Sequence, residues 1–78
     1  MKLAHDPRYN IAYIRLVERT TEVETVSVSD QLNVDLTPDG KIYGIELLNA
    51  NEQLRGFASG KLVVENEATG ATIEVGLP

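Results

Sequence analysis

Leu32–Leu48 reads LNVDLTPDGKIYGIELL, two apolar-alternating runs joined by Pro38-Asp39-Gly40, which makes it the central β-hairpin of a small sheet. Leu32, Val34 and Leu36 fall on one parity and Asn33, Asp35 and Thr37 on the other, the period of a strand with one face toward a core. The return run has two apolar parities, Tyr43-Ile45-Leu47 and Ile42-Leu48, so the turn decides which of them meets that core. A three-residue Pro38–Gly40 loop, a type I turn with a glycine bulge, pairs Thr37 with Lys41 and sets Glu46 beside Leu32. A four-residue Thr37–Gly40 loop pairs Leu36 with Lys41 and brings Tyr43 and Ile45 to the face of Val34 and Leu32. The turn chemistry favours the first and burial favours the second; burial is given the greater weight, and the four-residue loop is expected. In either register Gly40 takes a positive φ.

The same stretch nearly matches a calcium-binding loop, Asp35-x-Thr37-x-Asp39-Gly40 followed after five residues by Glu46. Such a loop surrounds the ion with oxygen ligands and closes the cage with a bidentate glutamate. Here both flanks alternate as strands rather than helices, and Pro38 sits where the chain must wind around the ion. In a regular hairpin Glu46 lies roughly 20 Å from the turn tip, at about 3.3 Å per residue, too far to close a cage at Asp39. The hairpin reading is preferred, with Asp35, Thr37, Asp39 and Glu46 kept as the calcium candidates.

Outward from the hairpin, the signals continue to be those of strands. Asp6-Pro7-Arg8-Tyr9-Asn10 is a turn, and Ile11–Val17 alternates after it, with Ala12, Ile14 and Leu16 on a wholly apolar face. The opposite face carries Ile11, Tyr13, Arg15 and Val17, a mix of aliphatic, aromatic and guanidinium groups that suits a protein interface. Glu18–Glu22 reads as a loop, and Val23–Ser29 as a strand with Val26 and Val28 inward. Asn49–Arg55, ending at Gly56, supports one to two helical turns, with Phe57 as an anchor to the sheet. Gly60–Glu65 and Thr72–Leu77 form a last hairpin with Leu62, Val64, Ile73, Val75 and Leu77 inward. No repeat, low-complexity tract or linker interrupts residues 1–78, which read as one domain.

Size and charge narrow the function. A 78-residue chain buries only about 60 to 65 % of its unfolded surface, and without cysteine it has neither a disulfide staple nor a thiolate metal site. A partner chain is the simplest source of the missing stability, so a homodimer is expected. Twelve acidic residues against seven basic ones, a net charge of −5 with the cations dispersed, argue against direct nucleic-acid binding and against anionic lipid surfaces. No apolar run approaches the roughly 20 residues of a membrane span. The start MKLAHDPRY has no signal-peptide core, and a cytoplasmic location is expected.

Two pieces of the chain, HDPRYNIAYIRL (His5–Leu16) and VSDQLNVDLTPDGKIYGIELLNA (Val28–Ala50), together with the spacing between them, resemble the prokaryotic family labelled domain of unknown function 2283. The resemblance covers about Met1 to Leu54, leaving the hairpin within residues 55–78 outside it. Members of that family usually carry acidic residues near Arg8, Asn10 and Thr37, so this chain departs in charge at both turns. The resemblance implies a small β-rich domain of unassigned activity. Some members look like partners of small toxin-like proteins encoded beside them, which implies an antitoxin-like role, and the acidity here would complement a small basic protein.

No constellation of reactive groups speaks for catalysis. His5 is the single histidine, Ser27, Ser29 and Ser59 lack a nucleophile-elbow context, and the glycines form no phosphate-cradling loop. Asp35 and Glu46 on the outward parity fit an open, solvated sheet face better than a closed acid–base pocket. The expectation is therefore a mainly β (β-rich α+β) domain: an antiparallel sheet of about five to six strands built on the central hairpin, with one short helix. Functionally it reads as a non-enzymatic interaction module with no cofactor. A small-ligand or calcium-binding regulatory domain is the alternative, and a hydrolase using surface carboxylates ranks below both.

Overall fold

The computed structural model describes residues 1–56 and 60–78. Among these residues seven strands form: β1 (Lys2–Asp6), β2 (Ile11–Arg15), β3 (Glu24–Ser29), β4 (Leu32–Leu36), β5 (Ile42–Leu48), β6 (Lys61–Asn66) and β7 (Ala71–Gly76). The first five make one antiparallel sheet in the order β1-β2-β5-β4-β3, and β6 and β7 pair only with each other. Between the two lies one short, wide helical turn, Asn51–Gly56. Phe57 and Ser59 lie outside the described residues.

The stretch Leu32–Leu48 supplies β4 and β5, and β5 is the central strand, flanked by β4 on one side and β2 on the other. Its turn is the three-residue one, so the expected four-residue loop is corrected. Thr37 N–H donates to Lys41 O at 2.8 Å, Gly40 N–H donates to Thr37 O at 2.9 Å, and Gly40 has φ +86°. Uninterrupted, that turn would set Glu46 against Leu32. Instead the pairing shifts between Asp35 and Leu36, leaving Tyr43 as an extra residue, and beyond the shift Val34 faces Ile45 and Leu32 faces Leu47. The bulge is why turn chemistry and burial need not compete. The glycine-closed turn is kept, and the aliphatic parities of both strands still coincide.

Direct cross-strand pairs share a face. Leu3 opposes Ile14, Ala12 opposes Leu47, Ile14 opposes Ile45, and Val34 is flanked by Ile45 and Val26, so one face is aliphatic across all five strands. The other face carries Lys2, Arg15, Tyr13, Glu46, Asn33, Asp35 and Thr25. Val28 sits in a second irregularity, between Ser27 and Ser29, and is exposed rather than inward.

Among the described residues the aliphatic face is covered only in part: Ala12 on it is buried, but its larger side chains are not. Ala12, Tyr43 and Ala50 are the buried hydrophobic residues among those described, and none of the chain's Ile, Leu or Val residues is buried. Leu62 opposes Val75 and Val64 opposes Ile73, so the last hairpin has the expected aliphatic face, but every residue of both its strands is exposed. The inward placement of those four is therefore not made within one chain; Leu77 is half-buried, its N–H donating to Gly60 O at 2.7 Å. The radius of gyration is 13.9 Å; a compact chain of this length would have about 11.5 Å.

Candidate functional site

On the polar face, side chains from three strands join in one hydrogen-bonded row. Tyr13 on β2 donates its phenol to Asp35 Oδ2 on β4 at 2.6 Å, and Thr25 on β3 donates to Asp35 Oδ1 at 2.5 Å. Between β2 and β4 runs β5, and the phenol ring crosses it at Gly44: a Cβ there would lie 2.7 Å from Tyr13 Cε1, closer than carbon atoms pack. Gly44 is thus a gap through which the ring reaches the far carboxylate. Burial, and then the hydrogen bond to the Asp35 carboxyl, push the Tyr13 phenol above its ordinary pKa of 10.0.

Two further contacts lie on the same face, separate from this row. Asn33 Nδ2 donates to Glu46 Oε1 at 2.9 Å, and the Arg15 guanidinium lies 5.4 Å from the centre of the Tyr43 ring. The bulge turns Tyr43 onto this side, although its expected place was the aliphatic face beside Ile45. Arg15 also donates to the carbonyls of Val17 at 2.7 Å and Glu18 at 2.5 Å, which fixes the chain as it leaves β2.

Of the expected interface residues, Tyr13 and Arg15 are half-buried in this internal network, Val17 is half-buried just past the strand end, and Ile11 is exposed opposite Leu48. Of the four calcium candidates only Thr37 and Asp39 meet, and Asp35 and Glu46 are held by other partners. Asp35 is held by Tyr13 and Thr25, Glu46 accepts from Asn33, and Asp39 accepts from the Thr37 hydroxyl and pairs with Lys41 at 3.6 Å. The Thr37 hydroxyl, followed by the Lys41 charge, holds the Asp39 carboxyl below its ordinary value. Among the described residues no group of three His, Asp or Glu side chains could hold a metal ion.

A second cluster was missed in the sequence. Asn10 and Asn49 both have left-handed backbones, at φ +59° and +55°, a conformation asparagine tolerates better than other residues with a side chain. Asn10 Nδ2 donates to Asn49 Oδ1 at 3.2 Å, and Asn10 Oδ1 accepts from Asn51 N–H at 2.7 Å. Asn51 Nδ2 in turn donates to Pro7 O at 3.0 Å, and its Oδ1 lies 2.9 Å from His5 Nε2. These groups tie the β1–β2 turn to the end of β5 over the buried Ala50. Locally Asn10 reads as the close of a turn and Asn49 and Asn51 as part of a helical segment, and nothing local gives their mutual contact.

The unit closed by this cluster is also the unit of a family. The family model described as Protein of unknown function (DUF2283) matches residues 2–51, from the start of β1 to Asn51. The chain belongs to this family. No curated protein and no solved structure matches it. The DUF2283 match spans the five-stranded sheet and the asparagine cluster, and β6 and β7 lie beyond it. Among the described residues no helix is long and apolar enough to cross a membrane.

Proposed function

We propose that this DUF2283 protein is a non-enzymatic interaction module that acts in the cytoplasm as a homodimer, with an antitoxin-like role as the partner of a small basic protein. The observation that carries the reading is the aliphatic sheet face, to which all five strands contribute and on which no Ile, Leu or Val is buried. A sheet face left partly open leaves part of its hydrophobic driving force unused, and association is the physical remedy.

Charge supports the choice of the second partner. At −5 for 78 residues the protein attracts a cationic surface at long range, and acidic groups such as Asp30, Glu52 and Glu67 are exposed to do so. The test has two parts. Sedimentation equilibrium should return twice the chain mass, and the protein should co-purify with the product of the adjacent reading frame and relieve its toxicity. A monomer at all concentrations up to the millimolar range would remove the homodimer. A neighbouring product that neither binds nor harms the cell would remove the antitoxin role.

A further inference from the structure

The last hairpin is an amphipathic element that its own chain does not use. Its aliphatic side is exposed at Leu62 (44 %), Val64 (53 %), Ile73 (66 %) and Val75 (45 %), while the reverse side carries Val63, Glu65, Thr72 and a Lys61–Glu74 ion pair at 3.3 Å. An isolated two-stranded hairpin is marginal in water, and an exposed ion pair adds little to it. The hairpin therefore requires a surface to lie on. We propose that β6 and β7 dock this aliphatic side onto the aliphatic sheet face of a second copy of the chain, so that two chains exchange hairpins and each covers the other. The inference rests on reading the protein as a self-associating module and specifies how the association is made.

Three observations select a second copy as the occupant. The first is area. The chain exposes 5857 Å²; a compact monomer of 8.6 kDa would expose about 4,700 Å². The excess, roughly 1,150 Å², exceeds the roughly 800 Å² that each partner gives up in an interface of standard size.

The second is charge. Two chains of −5 repel, so they can meet only where carboxylates are sparse. The aliphatic sheet face meets that condition, with Glu24 at the edge strand as its acidic group in the paired registers, whereas the reverse face carries Asp35 and Glu46. The third is dimension and connection. Six residues per strand make the hairpin about 20 Å long, the length of the five- to seven-residue strands it would cover. It also follows the family's sheet as an addition rather than being hydrogen-bonded into it.

The full-length protein tests this directly. Ile73→Lys places a charge on the docking side and Val63→Lys the same charge on the reverse side, both at positions exposed in the single chain, so neither disturbs its packing. Sedimentation velocity across concentration should show the dimer dissociation constant raised at least tenfold by Ile73→Lys and unchanged by Val63→Lys. Chains labelled with 14N and 15N, each with photo-reactive benzoylphenylalanine in place of Ile73, are then refolded together and irradiated. Cross-links to the peptides containing Val34 or Ile45 that mix the two isotopes are the expected result. Cross-links to those peptides of one isotope only would mean that the hairpin folds onto its own sheet, overturning the exchange. A dimer indifferent to Ile73→Lys but lost with Val34→Lys would overturn the hairpin's part while leaving the self-association reading intact. A wild-type monomer would remove both.

Discussion

The Tyr13 ring occupies the space above Gly44 that a side chain would otherwise fill, and this is what lets a hydroxyl on β2 reach a carboxylate on β4 across the intervening strand. Gly44→Ala should therefore cost about 1–3 kcal/mol in urea unfolding, the range for overpacking, even though alanine suits a strand no worse than glycine. Combined with Tyr13→Ala the same change should become neutral or mildly stabilising, because the colliding ring is gone. A double-mutant cycle with no coupling between the two sites would show that the ring does not impose glycine at position 44.

The phenol itself gives a pH signature. Burial and the Asp35 hydrogen bond raise the folded-state pKa of Tyr13 above its ordinary value of 10.0, so the unfolded chain loses this proton first as pH rises. The associated stability is fully present below about pH 10 and is lost progressively as pH climbs from there toward the folded pKa. Urea midpoints should fall more steeply above pH 10 for the wild type than for Tyr13→Phe. At neutral pH Tyr13→Phe should lose about 1 kcal/mol, the worth of the hydrogen bond. Parallel alkaline limbs would contradict the assignment.

At the turn, Gly40 has φ +86° with open space around it, so the penalty for a side chain there is one of backbone conformation. Gly40→Ala should cost about 1 kcal/mol and Gly40→Asn clearly less, measured as shifts in denaturation midpoint, because asparagine enters the left-handed region more readily. Equal costs would indicate that the turn changes type when the glycine is lost.

How much of this was legible beforehand follows from range. Alternation and the xPDG signal are local, and they gave the strands, the central hairpin and the amphipathic side of β6 and β7. The register of β4 against β5 required the bulge at Tyr43, a compromise between a turn and a burial pattern that each pointed to a different answer. Sequence weighing could choose one of them but could not produce the reconciliation. The Tyr13–Asp35 pair joins residues on strands that are not neighbours in the sheet, and Gly44 among aliphatics suggests only a weak strand position until the ring above it is known. The sequence leaves open whether the last hairpin packs on its own sheet or on a neighbour's, because burial of its aliphatic side is a long-range matter; in the single chain both its strands are exposed.

The asparagine cluster makes a prediction in which two effects separate. Asn10 combines a left-handed backbone with two side-chain hydrogen bonds, one accepted from Asn51 N–H and one donated to Asn49. Asn10→Gly keeps the backbone freedom and removes both bonds, so it should cost about 1–2 kcal/mol. Asn10→Ala removes the same bonds and adds left-handed strain for a residue with a Cβ, about 1–2 kcal/mol more. In both variants the Asn51 amide, left without its acceptor, should exchange with deuterium faster than in the wild type, while amides in the middle of β4 keep their relative protection. If alanine and glycine prove equally costly, the backbone at position 10 has relaxed out of the left-handed region, and the β1–β2 turn does not depend on asparagine for its conformation.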